Sequence, residues 1–309
     1  MRILVTGASG LLGLNIALEA STKHEVYGVV NSQPIQTDAF HVLQADLLAE
    51  GALEKVLEEA KPDWVIHCAA LADVDACESQ PDLAERINAD LPGRFAREVL
   101  ARGVRFLHIS TDAVFDGVDG NYTEEDEPNP LSQYARTKVQ GERAVLEANP
   151  EAVVARINTF GWSASRKRSL AEFFVNHLKE GQQVQGFVDV FFCPLLANDL
   201  VHVFLRMLEN GLSGLYHAVG SECLTKYEFG LRLAEKFDLD KSLIRPVSID
   251  DAGLKAQRAK NLTLRNDKLK QILNMALPTL SKGIERFQEL YEEGYPEKLR
   301  QMLLSNEVV

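Results

Sequence analysis

Glycines at positions 7, 10 and 13, in R-I-L-V-T-G-A-S-G-L-L-G, constrain this chain more than any other feature. An apolar run of strand length, residues 3–6, leads into them, and Leu14, Ile16, Ala17 and Leu18 follow at helical spacing. A glycine triplet alone is weak evidence. Between a strand and a helix it predicts the opening turn of a βαβ unit. Gly7 then permits the tight turn, Gly10 the close approach of a pyrophosphate, and Gly13 the packing of helix on strand. The N–H groups of the first helical turn, around Leu11 and Leu12, face the phosphates. The alternative is a structural turn whose glycines are incidental.

The alternation continues. Residues 25–30, 41–45, 64–68, 104–110 and 152–157 read as strands, and 53–60, 81–102 and 132–146 as helices. This predicts an α/β fold: a Rossmann-type doubly wound parallel sheet over residues 1–161, binding a dinucleotide. Beyond residue 162 the pattern loosens, with helical stretches at 173–178, 200–208 and 227–237 and short strands at 215–219 and 243–249. Residues 162–309 are therefore expected to form a smaller mixed α/β substrate lobe, some segments of which return to the sheet.

Strand ends carry the ligand contacts in such sheets. The second strand ends at Asn31, where an acid would grip the adenosine ribose and an arginine a 2′-phosphate. Neither is present, so cofactor choice is open and leans toward NADP(H) over NAD(H), the repelling carboxylate being missing. Asn31 as a plain turn residue is the alternative. Asp46 and Leu47 end the third strand. The carboxylate either accepts from the adenine amino group, beside the Leu47 N–H, or caps a turn before the next helix. Cys68, Ala69 and Ala70 leave room for a cofactor to lie across the fourth strand, followed by Leu71 and Ala72. Asn88, between Ile87 and Ala89, is a helical amide that would need a partner if it faces inward.

The fifth strand delivers Ile109, Ser110 and Thr111 to a loop that ends in S-Q-Y-A-R-T-K. Ser132 is a plausible helix cap, and Tyr134 and Lys138, four apart, share one helical face. Thr111, Tyr134 and Lys138 together suit proton transfer to an alcohol or sugar oxygen during hydride transfer. A lysine charge about 4 Å from the phenol is worth about 4 kcal/mol at an effective dielectric of 20, which predicts a tyrosine pKa lowered toward neutrality. A surface helix with a chance Tyr and Lys is the alternative. The acid run at 124–127 reads as a solvated loop. Arg166, in a basic cluster of 166–168, could hold a diphosphate or merely open a surface helix. Arg258, in a polar segment, could reach a substrate phosphate.

Composition narrows the classes. With 309 residues and 46% hydrophobic content there is core enough for one large domain or one with a smaller lobe. A formal charge of −12 disfavours a nucleic-acid partner. No apolar segment approaches the roughly twenty residues of a membrane span, and no secretory leader is expected, because the first apolar run goes straight into glycines. The four cysteines, at 68, 77, 193 and 223, show no metal spacing, so reduced thiols and a cytoplasmic location are expected.

Together these residues resemble the extended short-chain dehydrogenase/reductases, and within them the dTDP-4-dehydrorhamnose reductase family. The resemblance rests on T-G-x-x-G-x-L-G at 6–13, H-C-A-A at 67–70, V-D-x-x-E at 74–78 and a V-N-A-D-like stretch at 87–90. It continues in S-T-D-A-V-F-D-G at 110–117 and P-L-S-Q-Y-A-R-T-K-V-Q-G-E at 130–142. It implies an NAD(P)-dependent oxidoreductase acting on a CH–OH group, here a reductase of a 4-keto-6-deoxy nucleotide sugar, with Thr111, Tyr134 and Lys138 catalytic. It also implies a dinucleotide on Gly10, Leu11 and Leu12, on Asp46 and Leu47, and on Ala70, Leu71 and Ala72. Candidate substrate contacts are Val74, Thr111, Asp112, Ala113, Asn158 and Thr159, joined by Arg166 and Arg258. The chain departs from the family at Ala72 (threonine), Ala113 (tyrosine), Ala135 (glycine) and Thr159 (tryptophan). Asn15 stands where some members carry a metal-binding glutamate that joins a dimer, so no metal is expected, though a homodimer is allowed. Other readings are an epimerase or dehydratase of the same superfamily, or a regulatory subunit resembling the methionine adenosyltransferase beta subunit.

Overall fold

The computed structural model describes residues 1–165, 169–252 and 259–304. The chain opens with β1 (Arg2–Thr6), α1 (Leu11–Ser21), β2 (Glu25–Val30), β3 (His41–Gln44), α2 (Ala52–Ala60) and β4 (Trp64–His67). Next come α3 (Val74–Ser79), α4 (Pro81–Glu85), a π-helical turn (Arg86–Asp90) and α5 (Leu91–Ala101). Then follow β5 (Arg105–Thr111), α6 (Gln133–Ala148) and β6 (Val153–Ile157). These strands form a parallel sheet whose order places β4 and β2 on either side of β1. The chain therefore reverses direction across the sheet at β1, leaving a crevice at the carboxyl ends of β1 and β4.

Both sheet faces are covered, as expected for parallel strands. Ile3 and Val5 of β1 pack on one side with Ile16 and Ala17 of α1, while Leu4 packs on the other with Leu53, Phe95 and Val99. Alternation of side chains along a strand thus feeds two cores at once.

The later chain contributes β7 (Thr159–Phe160), α7 (Leu170–Lys179), β8 (Val184–Phe187), β9 (Phe191–Phe192), β10 (Leu195–Leu196) and α8 (Ala197–Glu209). It continues with β11 (Gly214–His217), β12 (Leu224–Thr225), α9 (Lys226–Lys236) and β13 (Ile244–Val247). The last helices are α10 (Asp267–Leu273), α11 (Leu280–Glu292) and α12 (Tyr295–Gln301). The strand expected at 215–219 is β11, and it pairs with β6 as the seventh strand of the main sheet. β13 pairs in parallel with β8, whose sequence carried no clear strand signal.

The expectation of four reduced thiols is corrected. Cys193 and Cys223 form a disulfide across 30 residues of sequence, and Cys68 and Cys77 are free. The reason is a pairing no local pattern announces: antiparallel β9 and β12 align Phe192 with Leu224, which sets the next residue on one strand beside the preceding residue on the other. Among the described residues no helix is long and apolar enough to cross a membrane.

Candidate active site

A cavity of about 630 Å³ opens at the crevice between β1 and β4. Its floor is the glycine turn. Gly7 holds φ +66°, in the left-handed region that favours glycine. A Cβ on Gly13 would sit 2.3 Å from the Gly7 carbonyl oxygen, so any side chain there would force α1 away from β1. Gly10 precedes α1 in an extended conformation with no described side chain capping the helix. The first-turn N–H groups are thus left for an anion, and the residues present fit a dinucleotide pyrophosphate.

All the candidate dinucleotide residues line this one cavity: the cradle residues, Asn31, Asp46, Leu47, the run from Cys68 to Ala72, Ile109, Tyr134 and Lys138. Thr111, Asp112, Asn158 and Thr159 line it too. Asp46 also makes its turn, its carboxylate accepting from the Leu48 N–H at 3.0 Å. Of the expected substrate contacts, Val74 and Ala113 are not among the residues that line this cavity. Val74 begins α3, capped by Asp73, and the Ala113 N–H is tied back to the Thr111 hydroxyl at 3.2 Å. Arg166 and Arg258 lie outside the described residues. Sequence reasoning missed Ser32, Gln33 and Ser110, which also line the cavity; as polar residues at strand ends they carried no separable signal.

Asn88 does face inward. The continuous helical run from α4 to α5 carries its π turn there, which re-aims the amide. Asn88 accepts from the Leu71 N–H (2.9 Å) and donates to the Leu71 carbonyl (3.0 Å) and the Thr137 hydroxyl (3.1 Å). It thereby pins the loop after β4 to the helix that carries the candidate acid.

That helix is set by its cap, Ser132, whose hydroxyl accepts from the Ala135 N–H at 3.2 Å. Tyr134 and Lys138 then share the face toward the β5 end. Lys138 is buried and donates to the Ile109 carbonyl at 2.7 Å, with His108 Nε2 at 3.3 Å. Burial pushes the ammonium down to about 8, against the carboxylate of Glu142 one turn on, which pulls it up. The expected lowering of the Tyr134 pKa is corrected. Burial dominates and pushes the phenol up to about 12, although hydrogen bonding with Thr111 offsets part of this and Asp112 adds to it. A phenol so placed keeps its proton at neutral pH, which suits an acid rather than a resting base.

Asp112 is buried beside this pair, accepting from the Thr111 hydroxyl at 3.1 Å and from the Asn158 amide. Burial pushes its carboxyl up to about 6. Thr159, where the resemblance leads us to expect a tryptophan, lines the cavity and donates to the Leu195 carbonyl at 2.9 Å. Asn15 is buried and engaged. It donates to the carbonyls of Leu11 (2.7 Å) and Trp162 (2.9 Å) and accepts from the Tyr295 hydroxyl (2.9 Å).

The chain is similar to several known proteins. A family model described as the RmlD substrate binding domain matches residues 1–292. A protein of Haloferax volcanii, described as a probable low-salt glycan biosynthesis reductase, is 32% identical over 300 residues, covering 95% of this chain and 99% of its own. Methionine adenosyltransferase 2 subunit beta of Rattus norvegicus is 34% identical over 295 residues, covering 88% of this chain and 82% of its own. The crystal structure of a dTDP-4-dehydrorhamnose reductase from Clostridium acetobutylicum matches with a TM-score of 0.81 at 28% identity, covering 94% of this chain and 100% of that one.

Proposed function

The chain belongs to the RmlD substrate binding domain family, and from that premise we propose that it is an NAD(P)H-dependent reductase of a 4-keto-6-deoxy nucleotide sugar. One observation carries the reading: a glycine cradle and the Thr111, Tyr134 and Lys138 side chains line the same cavity. A bound nicotinamide dinucleotide supplies the hydride. Tyr134, holding its proton at neutral pH, gives it to the oxygen of the reduced ketone. Lys138 keeps a positive charge beside the phenolate that results, so the charge developed on proton transfer meets a partner. With substrate bound, Thr111 would turn its one hydroxyl proton from Asp112 to the carbonyl oxygen, and Asp112 and Asn158 would help orient the sugar.

The test is oxidation of NADPH and of NADH by the purified chain with a panel of 4-keto nucleotide sugars. Turnover with at least one sugar is expected, and none with any sugar would sink the proposal. A second reading, a regulatory subunit, is favoured by the 34% identity to methionine adenosyltransferase 2 subunit beta. Association with a methionine adenosyltransferase, together with no sugar reduction, is the outcome that selects it.

Asn31 sets the cofactor preference in this reading, in favour of NADP(H), because it lines the cavity without a carboxylate. Asn31→Asp places a charge near the 2′ position, where one pair about 4 Å apart is worth about 4 kcal/mol at a dielectric of 20. Asn31 is exposed, so screening reduces this. NADPH affinity is expected to fall by at least about tenfold while NADH holds or improves. Fluorescence titration of both cofactors decides, and an unmoved preference removes Asn31 from the ribose site.

A further inference from the structure

Beneath Lys138 runs a buried polar row that the reaction above does not use. The sheet register sets Thr6 of β1 beside His67 of β4, and His67 beside His108 of β5. All three are fully buried. The imidazoles stack with centroids 5.4 Å apart and planes 26° from parallel, and His67 also packs against Phe95 and Phe106. His108 Nε2 stands 3.3 Å from the Lys138 ammonium.

Counting donors and acceptors assigns both tautomers. The Thr6 hydroxyl oxygen accepts from the N–H groups of Cys68 and Ala69, each at 3.1 Å. Its two lone pairs are then used, so its one proton goes to His67 Nδ1 at 2.8 Å. His67 therefore carries its proton on Nε2. A charged lysine has donors only, so His108 Nε2 is the acceptor and its proton lies on Nδ1. These two remaining N–H groups, His67 Nε2 and His108 Nδ1, are buried with no partner among the described residues. Because both are donors, the row cannot pass a proton from lysine to threonine.

We propose that His108 is a positioning residue for Lys138: a permanently neutral imidazole that accepts one ammonium proton and, with the Ile109 carbonyl accepting a second, aims the third at the cavity. The proposal rests on Lys138 being the catalytic lysine of the reading above. A buried N–H without an acceptor destabilises the fold, so a phenylalanine at 108 would serve packing better. What histidine adds is a neutral acceptor. A carboxylate there would cancel the lysine charge, and an imidazole that titrated near neutrality would repel it. Burial and the Lys138 charge hold both histidines far below the usual imidazole range, with His67 pushed down to about 3. The other titratable groups beside Lys138 are Glu142 on its own helix, whose carboxylate acts to keep it charged, and the Cys68 thiol just after β4, which burial holds in its neutral form.

The wild-type chain, labelled with nitrogen-15 in histidine, tests this without reference to turnover. Two-bond proton–nitrogen correlation is expected to show the Nδ1–H tautomer for His108 and Nε2–H for His67, both unchanged down to a pH of about 5, well below the usual imidazole pKa. His108→Gln, which keeps an acceptor, assigns the signals and should leave the pH profile near wild type. His108→Phe removes the acceptor, so the lysine should lose its charge earlier. The alkaline limb of kcat should then move down by about half a pH unit or more, and NADPH Kd should rise. An Nε2–H tautomer at His108 overturns the proposal. So does a folded His108→Phe with an unmoved limb and unmoved Kd. If His108→Phe does not fold, the wild-type tautomer decides alone. Full turnover in Lys138→Met would instead overturn the role of Lys138 itself.

Discussion

Tyr134→Phe is expected to lower turnover by about 10² or more, the scale of lost general acid catalysis, while dinucleotide affinity changes little. The substitution removes one oxygen and leaves the ring on the cavity wall. The Ser132 cap, the Asn88 clamp on Leu71 and the Lys138 contact with Ile109 involve other atoms, so the site should keep its shape. The pH profile adds a second check. With the wild-type phenol pushed up to about 12 and Lys138 down to about 8, turnover should be flat through neutrality on account of the tyrosine. It should then fall near pH 8, as the lysine rather than the tyrosine loses its proton. Stopped-flow and steady-state reduction of a 4-keto nucleotide sugar across pH measure both. Unchanged turnover in the phenylalanine variant would remove Tyr134 from the proton path.

Lys138→Met should abolish most turnover and yet stabilise the protein. The lysine is buried, and its drop from an ordinary 10.5 to about 8 corresponds to about 3 kcal/mol, at order-of-magnitude precision, of charge held against desolvation. The sign follows from proton binding. Between pH 8 and 10.5 the unfolded chain binds the proton that the native chain has released, so wild-type stability rises with pH across that window. Below it the full penalty applies. Methionine has similar length and no charge, so at pH 7 the variant should be more stable by about 1–3 kcal/mol, once the lost bond to Ile109 is allowed for. The gain should shrink toward pH 10. Urea unfolding of both proteins at the two pH values reads this directly. A variant less stable at pH 7 would mean that the hydrogen bond to Ile109 outweighs the desolvation.

The two variants also separate roles. On the proposed reading Tyr134 would supply the proton, so its variant should leave the alkaline behaviour of cofactor binding unchanged. Lys138 would supply the charge, so its variant should remove that behaviour. The penalty at Lys138 is the kind of destabilisation that functional sites retain, since a protein selected only for stability would place an apolar side chain there.

Features set by near neighbours in the chain were legible from sequence alone. The turn at Gly7 and the close packing at Gly13 follow from residues within one βα unit. The pairing of Tyr134 with Lys138 follows from helix period, and the Ser132 cap from its own side chain. The parallel sheet followed from the alternation of strands and helices. Tertiary structure alone decided what depends on register between distant strands. The β9–β12 pairing brought Cys193 to Cys223, β11 joined the main sheet beside β6, and neighbouring strands lined up Thr6, His67 and His108 under the lysine. It also decided the sign of the Tyr134 shift. Sequence sets a lysine on the same helical face as the phenol, but the loss of water around the phenol is a sum over the whole fold, and here that desolvation is the largest effect on its pKa.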